Sequence, residues 1–137
     1  MRSPSALPLF AAAIAFCVPA VAADLSRCQP GPRDNCVVDG DTIWLKGEKI
    51  RLAGIDTPEL DGARCRQERE MAEAATERLV ALLAGGPVVI QPQGKDRYGR
   101  TLAVISVGGD DVGGILVAEG LARPWAGKRQ PWCPVAR

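Results

Sequence analysis

Histidine is absent from this 137-residue chain. That gap removes every mechanism built on imidazole: no Ser-His-Asp triad, Cys-His pair or histidine acid–base couple can form. Proton transfer near neutral pH is left to carboxylates, lysine or tyrosine, or to water on a metal ion. A zinc site is a poor reading for the same reason, since the cysteines also lack paired C-x-x-C spacing. Aromatic residues are scarce, and Tyr98 is the single tyrosine. Pro8 and Pro19 interrupt the longest apolar run before it reaches the roughly 20 residues of a membrane span. Neither sign of charge dominates, so a uniformly basic surface that coats nucleic acid is not indicated. Any affinity for phosphate must come from the local placement of arginines. Internal repeats and low-complexity segments are missing too, and the length leaves room for one domain.

The first 23 residues, MRSPSALPLFAAAIAFCVPAVAA, carry Arg2, then an apolar stretch, then small residues at 20–23. This is a secretory signal-peptide pattern with cleavage expected after Ala22 or Ala23. Residues 1–23 are therefore read as leader and 24–137 as the folded domain. The expected product is exported, periplasmic or secreted, with no membrane attachment after cleavage. Lipoprotein processing at Cys17 is disfavoured by bulky Phe16. With Arg2 gone, sixteen basic residues face sixteen acidic ones. Cys17 leaves as well, and Cys28, Cys36, Cys65 and Cys133 remain, an even number suited to an oxidising compartment. Three pairings are possible. Cys28–Cys36, closing PGPRDN, and Cys65–Cys133, tying the tail to the middle of the chain, are preferred.

CVVDGDTIWL and KGEKIRLAGI are strand-rich runs split by the turn signal Lys46-Gly47. From Gln67 to Ala84, Met71, Ala75, Leu79, Leu82 and Leu83 recur at helical spacing, with Gly85-Gly86 as the stop. PVVIQP and TLAVISV read as strands joined by QGKDRYGR. A short helix is expected over 112–119, with Asp111 as N-cap and Gly120 as terminator. The pattern is mostly β with one long and one short helix, and a small antiparallel barrel accommodates it.

The carboxylates fall into two groups. Asp39 and Asp41 flank Gly40 in DGDT, a spacing that places both on one side of an extended strand. Asp56 and Glu59 follow in GIDTPE, where Pro58 helps fix the turn. Oxygen donors of this kind suit a hard divalent cation, although Asp-Gly is also ordinary turn chemistry. An EF-hand is excluded by the missing later ligands. An aspartate-nucleophile phosphatase is excluded by Ile43, where that motif needs Thr or Val. Arg51 and Arg100 supply forked donors of the sort that grip phosphoryl oxygens.

In order and spacing, DGDT, RLAGIDTPE, KDRYGR and LVAEGLARPW closely resemble the staphylococcal nuclease (thermonuclease) family, over residues 36–125. The resemblance implies a five-stranded OB-fold barrel with helices. It implies that Asp41 and Asp56 hold Ca²⁺ with the backbone carbonyl of Thr57, and that Asp39 lies in the outer shell of the ion. Glu59 matches the residue that handles the attacking water, and Arg51 and Arg100 match the phosphate-gripping arginines. Arg97 and Tyr98 match residues that contact a terminal phosphate. The tyrosines that hold the base near the end of the family domain are absent, and Trp125 in ARPWAG stands in as a stacking candidate. The implied reaction is Ca²⁺-dependent hydrolysis of DNA and RNA to 3′-phosphates and 5′-hydroxyls by a monomer. Two other readings stay open: a catalytically silent OB-fold module that binds nucleic acid or a protein, and a calcium-dependent adhesion or sensor domain.

Overall fold

The computed structural model describes residues 20–21 and 24–135. Of the expected leader, only the backbone of Ala20–Val21 is therefore in view, as a short strand β1; the rest of that expectation lies outside the described residues. The chain then forms β2 (Cys36–Asp39), β3 (Thr42–Leu45) and β4 (Glu48–Leu52) as two successive hairpins. Lys46 and Gly47 both adopt positive φ, the conformation a two-residue hairpin turn demands. After β5 (Ile55–Asp56) comes helix α1 (Arg66–Leu83), then β6 (Val88–Lys95), β7 (Thr101–Val107), β8 (Asp110–Asp111), helix α2 (Val112–Ala118) and β9 (Arg123–Pro124).

The main sheet runs β1-β6-β7-β4-β3-β2, antiparallel except for the parallel β4–β7 pair, with β8 attached to β7. This corrects the expectation of a closed five-stranded barrel. Among the described residues the end strands β1 and β2 do not pair, so the ladder stays open. The end strands are only two and four residues long, and α1 packs on β2. β6 also loses register between Pro92 and Lys95, where proline offers no N–H to the ladder.

The core forms where the apolar faces meet. Alternate residues Thr101, Ala103 and Ile105 of β7 turn inward, opposite Ile43, Ile50 and Leu52. Leu79 and Leu83 of α1 and Leu116 of α2 complete the cluster. The buried stripe of α1 is Ala72, Ala75, Thr76, Leu79 and Leu83, offset by one residue from the expected Met71. Thr76 is harmless there because its hydroxyl donates to the Ala72 carbonyl at 2.7 Å. Asp111 caps α2 by accepting from Gly113 N–H at 3.0 Å, and Gly120 ends it at φ +75°.

Two disulfides staple the domain, Cys28–Cys36 and Cys65–Cys133. The second carries the segment after β9 back over α1. β5 and β9 pair with Asp56 opposite Arg123, so the DTPE turn and the C-terminal segment lie side by side.

Candidate active site

DGDT straddles the tight turn between β2 and β3: Asp39 ends β2, Gly40 and Asp41 make the turn, and Thr42 opens β3, so the two aspartates do not share one extended strand as the spacing suggested. Its shape depends on Gly40. A Cβ at that position would lie 2.8 Å from Ala75 Cβ and 3.1 Å from Thr57 Cγ2, too close for any side chain. The bare backbone lets the turn press against α1 and the DTPE segment together. Asp41 N–H donates to Asp39 Oδ1 at 3.2 Å. The Asp41 carboxylate accepts from Thr42 Oγ1 at 2.9 Å and from Thr57 N–H at 3.3 Å. Asp41, Asp56 and Thr57 are all buried.

Arg51 reaches between the two acids. Its Nη2 lies 3.5 Å from Asp41 Oδ2 and 3.6 Å from Asp56 Oδ1, while Nη1 donates to the Ile55 carbonyl at 3.2 Å. The guanidinium also sits 5.4 Å from the ring of Trp125, whose side chain stays substantially exposed. The Trp125 backbone is fixed by its amide N–H, which donates to the Gly54 carbonyl at 2.9 Å.

A cleft of about 1010 Å³ brings Arg51, Glu59, Arg97, Tyr98, Arg100 and Trp125 onto one surface. The KDRYGR turn contributes three of them, organised by one carboxylate. Asp96 accepts from the N–H groups of Tyr98 and Arg100, both at 2.9 Å, and from Arg100 Nε at 2.6 Å. Loss of water around Asp96 pulls its pKa up, but the hydrogen bonds from Arg100 and Tyr98 outweigh that and hold it below the usual carboxylate range. Tyr98 projects into solvent with Arg97 and Arg100 beside its ring at 4.9 and 5.5 Å. Arg100 thus lines the cleft that Arg51 and Glu59 line, with its guanidinium paired to Asp96 and not to Asp41 or Asp56.

Three residues at this site escape the sequence reading. Arg129 places Nη2 3.3 Å from Asp56 Oδ1, and its Nη1 pairs with Glu59 Oε1. Trp132 Nε1 donates to Asp56 Oδ2 at 3.2 Å. Glu68, buried in the first turn of α1, accepts from the N–H groups of Glu59 and Arg64. The available signal was Cys133, whose bridge to Cys65 draws the 129–133 segment onto α1.

Crowded acids shift each other. Burial, then the neighbouring Asp41 carboxylate, pushes Asp39 up to about 8. Burial also raises Asp56, against the pull of Arg129, the Trp132 hydrogen bond and Arg51. Arg129 resists burial because Glu59, Asp56 and Asp41 surround it, and its pKa rises.

The donor set suits a hard cation. Asp56 Oδ1 is buried and accepts no hydrogen bond, and Asp41 lies close enough to share the Arg51 guanidinium with it. Carboxylate and carbonyl oxygens without a soft donor match Ca²⁺ or Mg²⁺ chemistry. Cys65, Glu68 and Cys133 also bring ligand atoms within 4.8 Å of one another, but the two sulfurs are bonded together and offer no thiolate.

A mixed β-sheet with two helices among the described residues, carrying paired buried aspartates beside an arginine-lined cleft, defines an OB-like domain. The profile described as "Staphylococcal nuclease homologue" matches residues 49–132, and the chain belongs to that family. Thermonuclease of Staphylococcus intermedius is 36% identical over 93 residues, covering 64% of this chain and 55% of that protein. An uncharacterized endonuclease of Haemophilus influenzae (strain ATCC 51907 / DSM 11121 / KW20 / Rd) is 32% identical over 120 residues, covering 81% and 62%. Succinoglycan biosynthesis protein ExoI of Rhizobium meliloti (strain 1021) is 35% identical over 107 residues, covering 72% and 54%. The chain spans about half the length of the curated relatives it matches.

Proposed function

We propose that this domain is an exported, calcium-dependent endonuclease that hydrolyses phosphodiester bonds of DNA and RNA, leaving 3′-phosphate and 5′-hydroxyl ends. Family membership supports a nuclease. The observation that carries the finer reading is that the buried Asp41 and Asp56 both lie against Arg51, which lines one cleft together with Glu59 and Arg100. Export rests on the leader pattern and on two disulfides. Action as a monomer is part of the same reading.

Asp41, Asp56 and the Thr57 carbonyl would hold Ca²⁺. When bound, Ca²⁺ supplies Lewis-acid polarisation of a phosphate oxygen. Glu59 accepts the proton of the attacking water as its oxygen forms the new bond to phosphorus. The bond from phosphorus to the 5′-oxygen breaks, and that oxygen leaves and takes a proton from solvent water to become the 5′-hydroxyl. Arg51 and Arg100 offset the negative charge that gathers on the phosphoryl oxygens in the transition state. Arg97 and Tyr98 bind a flanking phosphate, and Trp125 offers a face on which a base stacks.

A digest of plasmid and of RNA with Ca²⁺, with and without chelator, tests the reading. Cleavage that the chelator abolishes is the expected result. Glu59→Gln should lower kcat by roughly 10²-fold or more while Ca²⁺ affinity changes little. Retention of nucleic acid without cleavage would make the domain a silent binding module instead, and unchanged turnover in Glu59→Gln would remove Glu59 from the mechanism.

A further inference from the structure

We propose that Glu68 is a positioning residue of this active site, acting through Glu59; the proposal rests on the nuclease reading above. Glu68 is 4% exposed, and among the described residues no lysine or arginine side chain pairs with it. A carboxylate taken from water without a cationic partner is costly and is kept only where its oxygens are otherwise occupied. Here both are occupied, and by one loop. Oε1 accepts from the Glu59 N–H at 3.3 Å and Oε2 from the Arg64 N–H at 2.8 Å. Cys133 Sγ lies 3.5 Å from Oε2.

The loop has little else to hold it. Residues 59–64 form neither helix nor strand. Apart from its own tight turn at Asp61-Gly62, the segment makes no backbone–backbone hydrogen bond to the rest of the described residues. Glu68 therefore clamps the first and last N–H of the segment that carries the water-handling carboxylate, and it does so from the first turn of a long helix. Charge-assisted bonds of this kind are about twice as strong as neutral ones. The Glu59 carboxylate is gripped separately by Arg129. Its backbone is set by Glu68, its tip by the C-terminal segment.

A role exerted through Glu59 must vanish when Glu59 no longer works. The test is a double-mutant cycle with Ca²⁺ and a single-stranded oligonucleotide: wild type, Glu68→Ala, Glu59→Gln and the double variant. Glu68→Ala should lower kcat by about 10- to 100-fold, as a misplacement near 1 Å would. KM and the Ca²⁺ Kd should stay within about threefold. In the Glu59→Gln background the same change should cost no more than about threefold. Glu68→Gln keeps one acceptor and should fall between Glu68→Ala and wild type; it carries the cycle if the alanine variant does not fold. Amide hydrogen exchange at Glu59 and Arg64 should accelerate in both Glu68 variants, a readout that needs no turnover. An equal loss in the Glu59→Gln background, an unchanged kcat, or unchanged amide exchange would overturn the proposal. If the wild-type protein fails to cleave, the nuclease reading falls and the catalytic role with it, while the exchange data still report whether Glu68 holds the loop.

Discussion

Breaking the two disulfides one at a time should destabilise the domain unequally, by an amount the chain itself sets. Cys65 and Cys133 are 68 residues apart and Cys28 and Cys36 are 8 apart. Loop-closure entropy then assigns about 4.4 kcal/mol to the long bridge and about 2.5 kcal/mol to the short one. The long bridge carries more than entropy. It holds the segment whose Trp132 donates to Asp56 and whose Arg129 pairs with Asp56 and Glu59, so its loss costs about another 1 kcal/mol in hydrogen bonding. One confounding effect is small. Cys65 is the N-cap of α1, with Sγ accepting from Glu68 N–H at 3.4 Å, and a serine hydroxyl caps at least as well. Cys65→Ser with Cys133→Ser is thus a fair removal of the bridge alone. Urea unfolding of that variant, beside Cys28→Ser with Cys36→Ser, should separate the midpoints by roughly 1 to 3 M at m-values of about 3 to 1 kcal/mol/M, the long-bridge variant being the weaker. Nuclease turnover at a temperature where both stay folded should fall in the long-bridge variant and persist in the other. Equal midpoints, or a weaker short-bridge variant, would refute the account of the C-terminal segment as a stapled wall of the site.

Gly40→Ala should cost about 1–3 kcal/mol by overpacking and weaken Ca²⁺ binding, because the new methyl meets Ala75 Cβ at 2.8 Å; thermal melts and calorimetric titration check both, and an unshifted Tm would contradict the geometry. The pH dependence follows from Asp39, whose folded pKa stands near 8 against an ordinary 3.8. The folded chain keeps a proton that the unfolded chain gives up, so this stabilising contribution is full below pH 4 and is lost as pH rises towards 8. Ca²⁺ competes with that proton, and the rise in Tm on adding Ca²⁺ should be larger at pH 8 than at pH 5; the reverse order in calorimetric scans would reject the linkage.

What the sequence made legible was whatever short-range chemistry decides. Lys46-Gly47 announces its hairpin because few residue pairs tolerate two positive φ values. Asp111 and Gly120 bracket α2 because a cap and a terminator act within one helical turn. DGDT was harder. Aspartates two apart serve an extended strand or a tight turn equally well, and the packing of Gly40 against Ala75, 35 positions away, decides for the turn. The open ladder was not legible either, since α1 lying over β2 is a tertiary outcome that no local pattern announces.

The missed site residues follow the same rule, with one exception worth pressing. Glu68, Arg129 and Trp132 carry no motif, and their contacts with Glu59 and Asp56 cross 9, 70 and 76 positions. Yet a disulfide is a long-range restraint that can be written down before any coordinates exist. Once Cys65 is paired with Cys133, any residue within four positions of either cysteine lies within about 14 Å of it, since an extended chain covers about 3.5 Å per residue. Glu68 is three positions after Cys65, and Arg129 and Trp132 are four and one before Cys133. Glu59 is six before Cys65. The bridge alone gathers a buried carboxylate, an arginine and an indole into one neighbourhood, with Glu59 just beyond it. Charge complementarity then leaves few ways to arrange them: the arginine on the acids, the carboxylate on the loop amides. In a domain this small, the cysteines foretell the C-terminal half of the site as firmly as DGDT and DTPE foretell its acidic half.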